Sequence, residues 1–475
     1  MLTFLTPHAP WGLSRREAVA QLGGGLGALA LLATGGVGGG AAAHAEVSRG
    51  QGVQPRPPVR PGRARAVIQL FMHGGPSHVD LLDPKPELTR LDGQPPPAEV
   101  ADDENRTSYL MGSPFPFARH GTSGLEFSSV LPHIASHADD ICVVRSMFTE
   151  HRNHEQAIWM ANTGMTVAGR PNIGSWAAYG LGTENQNLPG FISITPSSNF
   201  GGATNYGSSF LPAIYQGTAL GRDNRPIASA EIAHLKTKQA KEEQRAELDF
   251  LQTLNRRKLE RDQVNPDVEG AIEAAELAFK MQSEMPQVLD LSKESDATKR
   301  LYGIGDRQTE DFGRKCLLAR KMVESGVRFV EVTHGNWDHH FNMNASLERS
   351  CSEVDRPVAG LLQDLKKRGL LDETLVVFTG EFGRTPYAQG QDGRDHNNKA
   401  FTLWMAGGGV KAGFSYGRSN DYGFDVEENP VSIHDLHATL LALLGLDHER
   451  LTFRHAGRDF RLTDVYGNVV KDVIA

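Results

Sequence analysis

Six short runs rich in β-branched and aromatic residues recur along the chain, and they constrain its fold more than any other feature. Most are almost continuously apolar, as expected of strands that are covered on both faces of a sheet. The runs are AVIQLFM (66–72), ICVVRSM (141–147), FISIT (191–195), VRFVEVT (327–333), TLVVFTG (374–380) and FTLWMAG (401–407). Because helical patterns separate them, we expect a mostly parallel central sheet between helical layers.

Two of the intervening segments carry helix signals. In residues 356–369, Pro357 suits a first turn and Gly369 is a stop signal. In residues 434–445, Ser432 is a candidate N-cap and Gly445 ends the pattern. The sequence therefore predicts an α/β fold, a three-layer sandwich with the sheet in the middle.

The segment from residue 228 to about 290 interrupts this alternation. It contains KTKQAKEEQRAELDFLQTLNRRKLERD, a highly charged sequence with high helix propensity, in which Leu248, Leu251 and Leu259 form a narrow apolar stripe. We expect a helical insertion or lid that packs on the main sheet and keeps its charged residues in solvent. Residues 65–475 are then one α/β domain that carries this insertion.

Residues 1–45 are excluded from the fold because they are typical of an export leader. Arg15 and Arg16 precede a weakly apolar, Gly-rich stretch that ends in Ala43-His44-Ala45. We expect a twin-arginine signal peptide and a periplasmic or extracellular protein, since Gly-rich sequence is a poor membrane-spanning helix. Residues 46–64, rich in Pro, Gly and Arg, are interpreted as an extended linker.

Charge and composition argue against several classes of protein. The chain of 475 residues has 49 Lys and Arg against 57 Asp and Glu, a net charge of −8. This acidic balance, with no sustained basic stripe, argues against nucleic acid as a partner. After the leader, no stretch is long and apolar enough to span a bilayer. The three scattered cysteines do not form a disulfide framework or a zinc knuckle, and the oligomeric state is not indicated.

Histidines and acidic residues cluster just after the predicted strands. VTHGNWDHHFN (332–342) covers the end of one strand, and polar groups follow three others: His73, Ser77, His78 and Asp80; Thr149, His151 and His154; Glu381 and Arg384. The carboxyl ends of parallel strands share one edge of a sheet, so we expect these loops to converge. Several such loops at one edge are what a two-cation hydrolytic site requires, because cations screen an anionic ester and lower the pKa of bound water.

The candidate metal ligands mix imidazole and carboxylate groups. They are Asp338, His340, Glu381 and His396. This mixture favours zinc or manganese, or iron, whereas calcium, the alternative, prefers a set made of oxygen atoms. Arg384 either binds an anionic substrate through two hydrogen bonds or pairs with a carboxylate of the protein.

Six motifs in one order give the chain a family resemblance. They are FMHGGPSHVDLLDPKPEL, VVRSMFTEHRNHEQAIWMANTG, NWDHHFN, TGEFGRTP, GRDHNNKAFTLWMAGGGVKAG and HDLHATLLALLGLDHERL. Over residues 65–475 the chain closely resembles the domain of unknown function 1501 family, which is grouped with the sulfatase and alkaline phosphatase superfamily. The resemblance implies an alkaline-phosphatase-like fold and metal-dependent hydrolysis of sulfate or phosphate esters.

The resemblance also implies a set of metal ligands. It places Glu381 on a metal-binding aspartate of the superfamily, with Phe382 where a histidine ligand is usual. Asp338 and His340 match an Asp/His ligand pair, and His396 matches a late histidine ligand. Two other histidines are alternatives to His340 in that pair: His334 and His339.

The nucleophile and the first loop follow the superfamily less closely. SMFTEHRNHEQAIWMANTG resembles the threonine-containing segment of nucleotide pyrophosphatases, which makes Thr149 the candidate nucleophile and His154 its helper. Gly74-Gly75-Pro76 stands where other members have aspartates, and Asp80 is the candidate substitute as a ligand. The sulfatase signature Cys-x-Pro-Ser-Arg is absent, so formylglycine chemistry is not expected.

We therefore expect an exported, metal-dependent, hydrolase-like protein that acts on a small anionic ester or on a sulfated or phosphorylated polymer. The five candidate ligands would hold the divalent ions, Thr149 or a metal-bound hydroxide would attack, and Arg384 would steady the anion. The alternative is a catalytically degenerate member of the superfamily. Such a protein would bind anionic glycans or an envelope partner without turnover.

Overall fold

The computed structural model of the chain describes residues 53–98, 100, 108–223, 225–233, 235, 239–262 and 265–475, so the expected leader lies outside the described residues. The strands are β1 (Ala66–Met72), β2 (Phe117–His120), β3 (Leu125–Ser128), β4 (Ile141–Phe148), β5 (Phe191–Ile194), β6 (Thr218–Leu220), β7 (Phe329–His334), β8 (Thr374–Thr379), β9 (Gly383–Gln389), β10 (Gly393–Asn397), β11 (Phe401–Ala406), β12 (Phe414–Tyr416), β13 (Arg418–Ser419), β14 (Val426–Glu428), β15 (Val431–Ser432), β16 (Phe453–His455) and β17 (Arg458–Phe460). The helices are α1 (His78–Leu81), α2 (Pro86–Arg90), α3 (Pro132–Ala135), α4 (His154–Thr163), α5 (Ile173–Leu181), α6 (Lys241–Asp262), α7 (Pro266–Leu289), α8 (Asp296–Leu301), α9 (Glu310–Glu324), α10 (Met343–Lys367) and α11 (Ile433–Leu443).

A large, mostly parallel sheet forms the centre of the structure. Its strand order is β12-β4-β11-β8-β1-β7-β5-β6, and β15 also pairs with β4. β1 lies between β7 and β8 and is parallel to both, whereas β11 is antiparallel to its neighbours β4 and β8. All six predicted strands belong to this sheet, and the predicted α/β class with a mostly parallel central sheet is confirmed.

The sheet is covered on both faces. Every residue of β1, β5, β7 and β8 is buried, so side chains on the two sides of each strand are removed from water. Burying one large aliphatic or aromatic side chain stabilises the fold by about 1.5–3 kcal/mol, and each of these strands buries several such side chains. α9 packs on β1 and β7, and α10 packs on α9.

The helix that was predicted to begin near Pro357 begins earlier. α10 has 25 residues, and Pro357 lies inside it, so the assignment of this proline to a first turn was wrong. A proline inside a helix costs about 3 kcal/mol, but the buried apolar residues of the preceding turns, such as Leu347, Cys351 and Val354, hold the longer helix in place. At α11, Ser432 is the N-cap and forms a capping box with Asp435, as its position predicted.

The segment predicted as a helical insertion contains α6 and α7, which pack on each other. Arg245 of α6 forms an ion pair with Glu276 of α7 at 2.9 Å, and Gln252 Nε2 donates to the carbonyl of Ile272 at 2.9 Å. α7 in turn packs on α9 and on the turn at residues 213–215. The second helix therefore anchors this helical arm to the domain.

The described part of the expected linker, residues 53–64, lies along the domain surface. Val53 is buried in the core, and the backbone N–H of Arg63 donates to the carbonyl of Leu443 at 3.0 Å. Cys142, Cys316 and Cys351 are free thiols in the interior. Among the described helices, none combines the length and the apolar character needed to cross a membrane.

Candidate metal centre

Three connections of the chain meet beyond the carboxyl ends of the parallel strands. His154 is the first residue of α4, which follows β4, and Asp338 and His340 follow β7. His396 lies in β10, opposite Arg384 of β9, in a hairpin that connects β8 with β11. The predicted convergence of these loops is therefore present in the fold.

One group of side chains among the described residues is arranged closely enough to hold a metal ion. It consists of His154, Asp338, His340 and His396, whose candidate ligand atoms all lie within 4.8 Å of one another. Asp338 Oδ1 is 2.8 Å from His340 Nε2 and 3.1 Å from His396 Nε2, and Asp338 Oδ2 is 3.2 Å from His154 Nε2. Ligands of a tetrahedral zinc ion with bonds of about 2.0–2.2 Å lie about 3.3 Å apart, so these separations fit a single ion.

The three imidazoles are held in the same way. Each uses Nδ1 for a hydrogen bond to an oxygen atom of the protein and presents Nε2 to the centre of the group. The acceptors are Glu381 Oε1 for His154 at 2.8 Å, the side-chain oxygen of Gln389 for His340, and the carbonyl of Arg152 for His396 at 2.8 Å. An oxygen acceptor requires the ring proton on Nδ1, which leaves the lone pair of Nε2 for a metal ion.

The electrostatics of the group centre on one carboxylate. Burial opposes the charge of Asp338, but its close contacts with His154, His340 and His396 and the charge of Arg384 hold its pKa well below the ordinary range. Burial also opposes the charge of His154, yet its hydrogen bonds with Asp338 and Glu381 raise the pKa of this imidazole to about 9. A metal ion that binds His154 Nε2 would therefore compete with a proton.

A comparison with known protein families places the chain. The sequence model of a family described as "Protein of unknown function (DUF1501)" matches residues 64–474. The chain belongs to the DUF1501 family. No curated protein matches this DUF1501 protein at a significant level.

Solved structures similar to this DUF1501 protein were also found. Ps i-CgsB in complex with k-i-k-neocarrahexaose is 12% identical, with a TM-score of 0.38, over 82% of this chain and 72% of that chain. The PsFucS1 sulfatase from Pseudoalteromonas sp. is 12% identical, with a TM-score of 0.35, over 82% and 69% of the two chains. A mutant of TAB5 alkaline phosphatase with bound Mg is 11% identical, with a TM-score of 0.32, over 76% and 96%.

Glu381, expected as a metal ligand, lies behind the ligand group of this DUF1501 protein. Its carboxylate is completely buried, and Oε1 accepts hydrogen bonds from His154 Nδ1 and from the backbone N–H of Gly74, each at 2.8 Å. His154, expected to assist a nucleophile, is instead one of the four grouped residues. Glu381 therefore contacts the group through His154, because the amide of Gly74 holds the carboxylate against the far side of this imidazole.

Arg384 was expected either to bind the substrate anion or to pair with a carboxylate, and in the structure it pairs with the carboxylate of Asp338. Only 1% of its side chain is exposed, and its NH2 group donates to Asp338 Oδ1 at 2.6 Å. Its Nε and NH1 groups donate to the carbonyls of Gly75 and Arg394 at 2.9 and 3.0 Å. With its donors occupied by the protein, Arg384 positions Asp338 and does not face a substrate.

Asp80, expected as a further ligand, is not part of the group. It forms a two-pronged ion pair with Arg394, with Nε to Oδ2 at 2.7 Å and NH2 to Oδ1 at 3.0 Å, and both side chains are fully buried. The hydroxyl of Ser77 donates to the same carboxylate. Because these bonds occupy both oxygens, the structure assigns Asp80 to the framework beneath the site.

Thr149, the candidate nucleophile, directly follows β4 and is not one of the four grouped residues. Its backbone N–H donates to the carbonyl of Asn398 at 2.9 Å, and Asn398 Nδ2 donates to the carbonyl of Thr149 at 3.0 Å. Among the described residues, its buried Oγ1 finds no hydrogen-bond partner. These two hydrogen bonds tie the end of β4 to the segment that carries His396, and the role of the hydroxyl stays a prediction.

Sequence reasoning did not identify the residues that hold the imidazoles from behind. Gln389 ends β9, and the carbonyl of Arg152 belongs to the loop before α4, and neither has a recognisable motif. Any backbone carbonyl can hold an imidazole, so no side-chain pattern marks the second of these contacts. Glu381 was noticed, but a sequence does not tell whether a carboxylate contacts the ion or the histidine beside it.

Proposed function

We propose that this DUF1501 protein is an exported, metal-dependent hydrolase that cleaves sulfate or phosphate esters. The observation that carries the proposal is the common orientation of His154, His340 and His396, each with Nδ1 bonded to an oxygen and Nε2 directed at Asp338. Metal ligands require this orientation, because an oxygen acceptor holds Nδ1 of each ring and leaves Nε2 to bind the ion. The twin arginine at Arg15 and Arg16 supports the export part of the proposal.

The four ligands would hold one divalent ion, which would neutralise the ester oxyanion and lower the pKa of a bound water molecule. Three neutral imidazoles and one carboxylate carry a charge of −1, so a divalent ion keeps a charge of +1 that attracts an anion. The Asp338 side chain is 43% exposed, whereas His154 is 10% exposed, so an ester reaches the group from the side of Asp338. Arg384 keeps that carboxylate ionised and fixed in direction.

The number of ligands bears on the identity of the ion. Four protein ligands complete a tetrahedral zinc site, whereas an ion that accepts six ligands, such as manganese, keeps two positions for water and substrate. Since turnover needs free positions on the ion for water and substrate, manganese suits this site better than zinc. In the reaction, water adds to the ester, and an alcohol and sulfate or phosphate leave, with Thr149 as the candidate for an intermediate acceptor.

Metal analysis and ester hydrolysis test this proposal. We expect about one equivalent of metal per chain after loading with manganese, and turnover of 4-nitrophenyl sulfate or 4-nitrophenyl phosphate. His340→Ala and His396→Ala should each lose both properties. His455→Ala, at an exposed histidine outside the group, is the matched control and should keep both.

The second candidate function is binding without turnover. It is favoured by the burial of Arg384, which removes the expected anion clamp, and by Phe382, which stands where the superfamily usually has a histidine ligand. Metal-loaded protein that retains a sulfated polymer on a column, yet hydrolyses neither aryl ester, would support this function and exclude the hydrolase. Protein that binds no metal under any loading condition would exclude both the hydrolase and the metal-assisted form of binding.

A further inference from the structure

The outer helix of the helical arm exposes a second apolar stripe. Leu248 and Gln252 of α6 are buried against α7, as the arm requires, but Phe250 and Leu254 point away from it. Phe250 is 64% exposed and Leu254 is 45% exposed, so both apolar residues lie in solvent on the outer face of the helix. An exposed Phe and Leu one helical turn apart indicate a contact surface.

Charged residues flank this apolar pair in a symmetric order. Glu243 and Glu247 precede it, and Arg257 and Arg261 follow it. Positions 243 and 261 each lie nine residues from position 252, positions 247 and 257 each lie five residues from it, and positions 250 and 254 each lie two residues from it. The sequence of this stripe is therefore complementary to itself when it is read in the opposite direction.

The six residues also lie on one face of the helix. Their spacings alternate between four and three residues, which is the repeat of a coiled-coil contact stripe. The stripe from Glu243 to Arg261 covers 18 residue steps of 1.5 Å, a length of about 27 Å. Glu243, Arg257 and Arg261 are exposed, and Glu247 is half-buried and accepts a hydrogen bond from Gln239 Nε2 at 2.9 Å.

We propose that a second copy of this chain docks on the stripe, so that two α6 helices pair in antiparallel orientation about a two-fold axis at position 252. Phe250 then packs against the partner's Leu254, Glu243 faces the partner's Arg261, and Glu247 faces the partner's Arg257. Each contact occurs twice, and the interface closes on itself as a two-fold dimer requires. With α7 behind each α6, the two arms form an antiparallel four-helix arrangement.

Charge decides both the orientation and the occupant. Parallel pairing would place glutamate against glutamate and arginine against arginine, which is repulsive. Antiparallel pairing matches opposite charges at four positions and covers both apolar residues. Any partner must present two arginines opposite the glutamates of this stripe and two glutamates opposite its arginines. A second α6 helix in the opposite direction presents this pattern. A single helix pair is a small interface, so we expect a dissociation constant in the micromolar range.

Sedimentation velocity of the full chain at roughly 1–100 μM tests the proposal. The chain should shift from monomer to dimer over this range. Phe250→Asp, Glu243→Arg and Arg261→Glu should each raise the dissociation constant about tenfold or more, because each places a repulsive or a solvated charge in the pair. Arg256→Glu, the same charge change on a different face of α6, is the matched control and should change nothing.

A mixture of two variants gives the sharpest outcome. Protein with Glu243→Arg carries arginine at both outer positions, and protein with Arg261→Glu carries glutamate at both. Each should be impaired alone, whereas an equimolar mixture should form a heterodimer with an affinity within about threefold of the original, because every outer pair is again complementary. A monomer at all concentrations, or a dimer that ignores these substitutions and is not rescued by mixing, would overturn the proposal.

Discussion

Replacement of Asp80 distinguishes a ligand from a framework residue. In the structure, Asp80 and Arg394 form a fully buried ion pair with two hydrogen bonds, at 2.7 and 3.0 Å. Asp80→Ala removes the carboxylate and leaves the guanidinium charged in a place from which water is excluded. Breaking a buried pair in this way costs about 3–5 kcal/mol of folding free energy.

The hydrogen bonds that Arg394 keeps in the variant determine how large this loss of folding free energy is. Its NH1 group still donates to the carbonyl of Thr385 at 3.0 Å, and its NH2 group to the carbonyl of Met111 at 2.9 Å. These carbonyls keep part of the charge hydrogen-bonded, so we expect a loss near the lower limit, about 3 kcal/mol. Urea denaturation of metal-free protein measures the loss without a contribution from metal binding.

The metal content of the folded variant supplies the second measurement. If Asp80 belongs to the framework, Asp80→Ala loses stability but binds the same number of metal ions per chain as the original protein. Glu87→Ala, which removes an exposed ion pair with Arg90, is the control and should change neither quantity. A variant with normal stability that has lost its metal would refute this account and restore Asp80 as a ligand.

Three further predictions concern single side chains. Glu381→Gln should weaken metal binding about 10- to 100-fold in a competition assay with a chelator, because it alters the acceptor behind His154. Burial raises the pKa of Glu331 from 4.5 to about 7, so the folded state loses stability as pH rises through this window and the carboxyl group must ionise. Glu331→Gln does not ionise, so in urea denaturation its free energy of unfolding, relative to that of the original protein, should be about 3 kcal/mol more favourable at pH 8 than at pH 4. Ser432→Ala should lose about 1 kcal/mol in the same assay, because it removes the capping box of α11.

The strands of the central sheet could be predicted from the sequence because burial on both faces leaves a continuous apolar run. The residues of β11 could also be predicted, but the direction of this strand in the sheet could not. β8 and β11 are joined by the β9–β10 hairpin, which contains no crossover helix, so the chain re-enters the sheet at the edge where it left. A connection that returns at the same end of the neighbouring strand gives an antiparallel pair, whereas a helical crossover to the opposite end gives a parallel one.

The candidate site was predictable to the extent that it depends on strand ends. Asp338, His340 and His396 follow or adjoin strands at one edge, and they meet as expected. The position of Glu381 behind His154 was not predictable, since it depends on the amide of Gly74, which fixes the direction of the carboxylate. Sequence places a side chain at an edge, and tertiary hydrogen bonds decide which atom it presents.

The contacts behind the three imidazoles link the loops to one another. The loop after β8 holds the histidine of α4 through Glu381, the loop before α4 holds the histidine of β10 through the carbonyl of Arg152, and the end of β9 holds the histidine after β7 through Gln389. No loop therefore fixes its own ligand, and the four-residue geometry exists only when the whole edge of the sheet is folded. Because an unfolded chain cannot reproduce this arrangement, we expect added metal to stabilise the folded state in proportion to the logarithm of the free metal concentration.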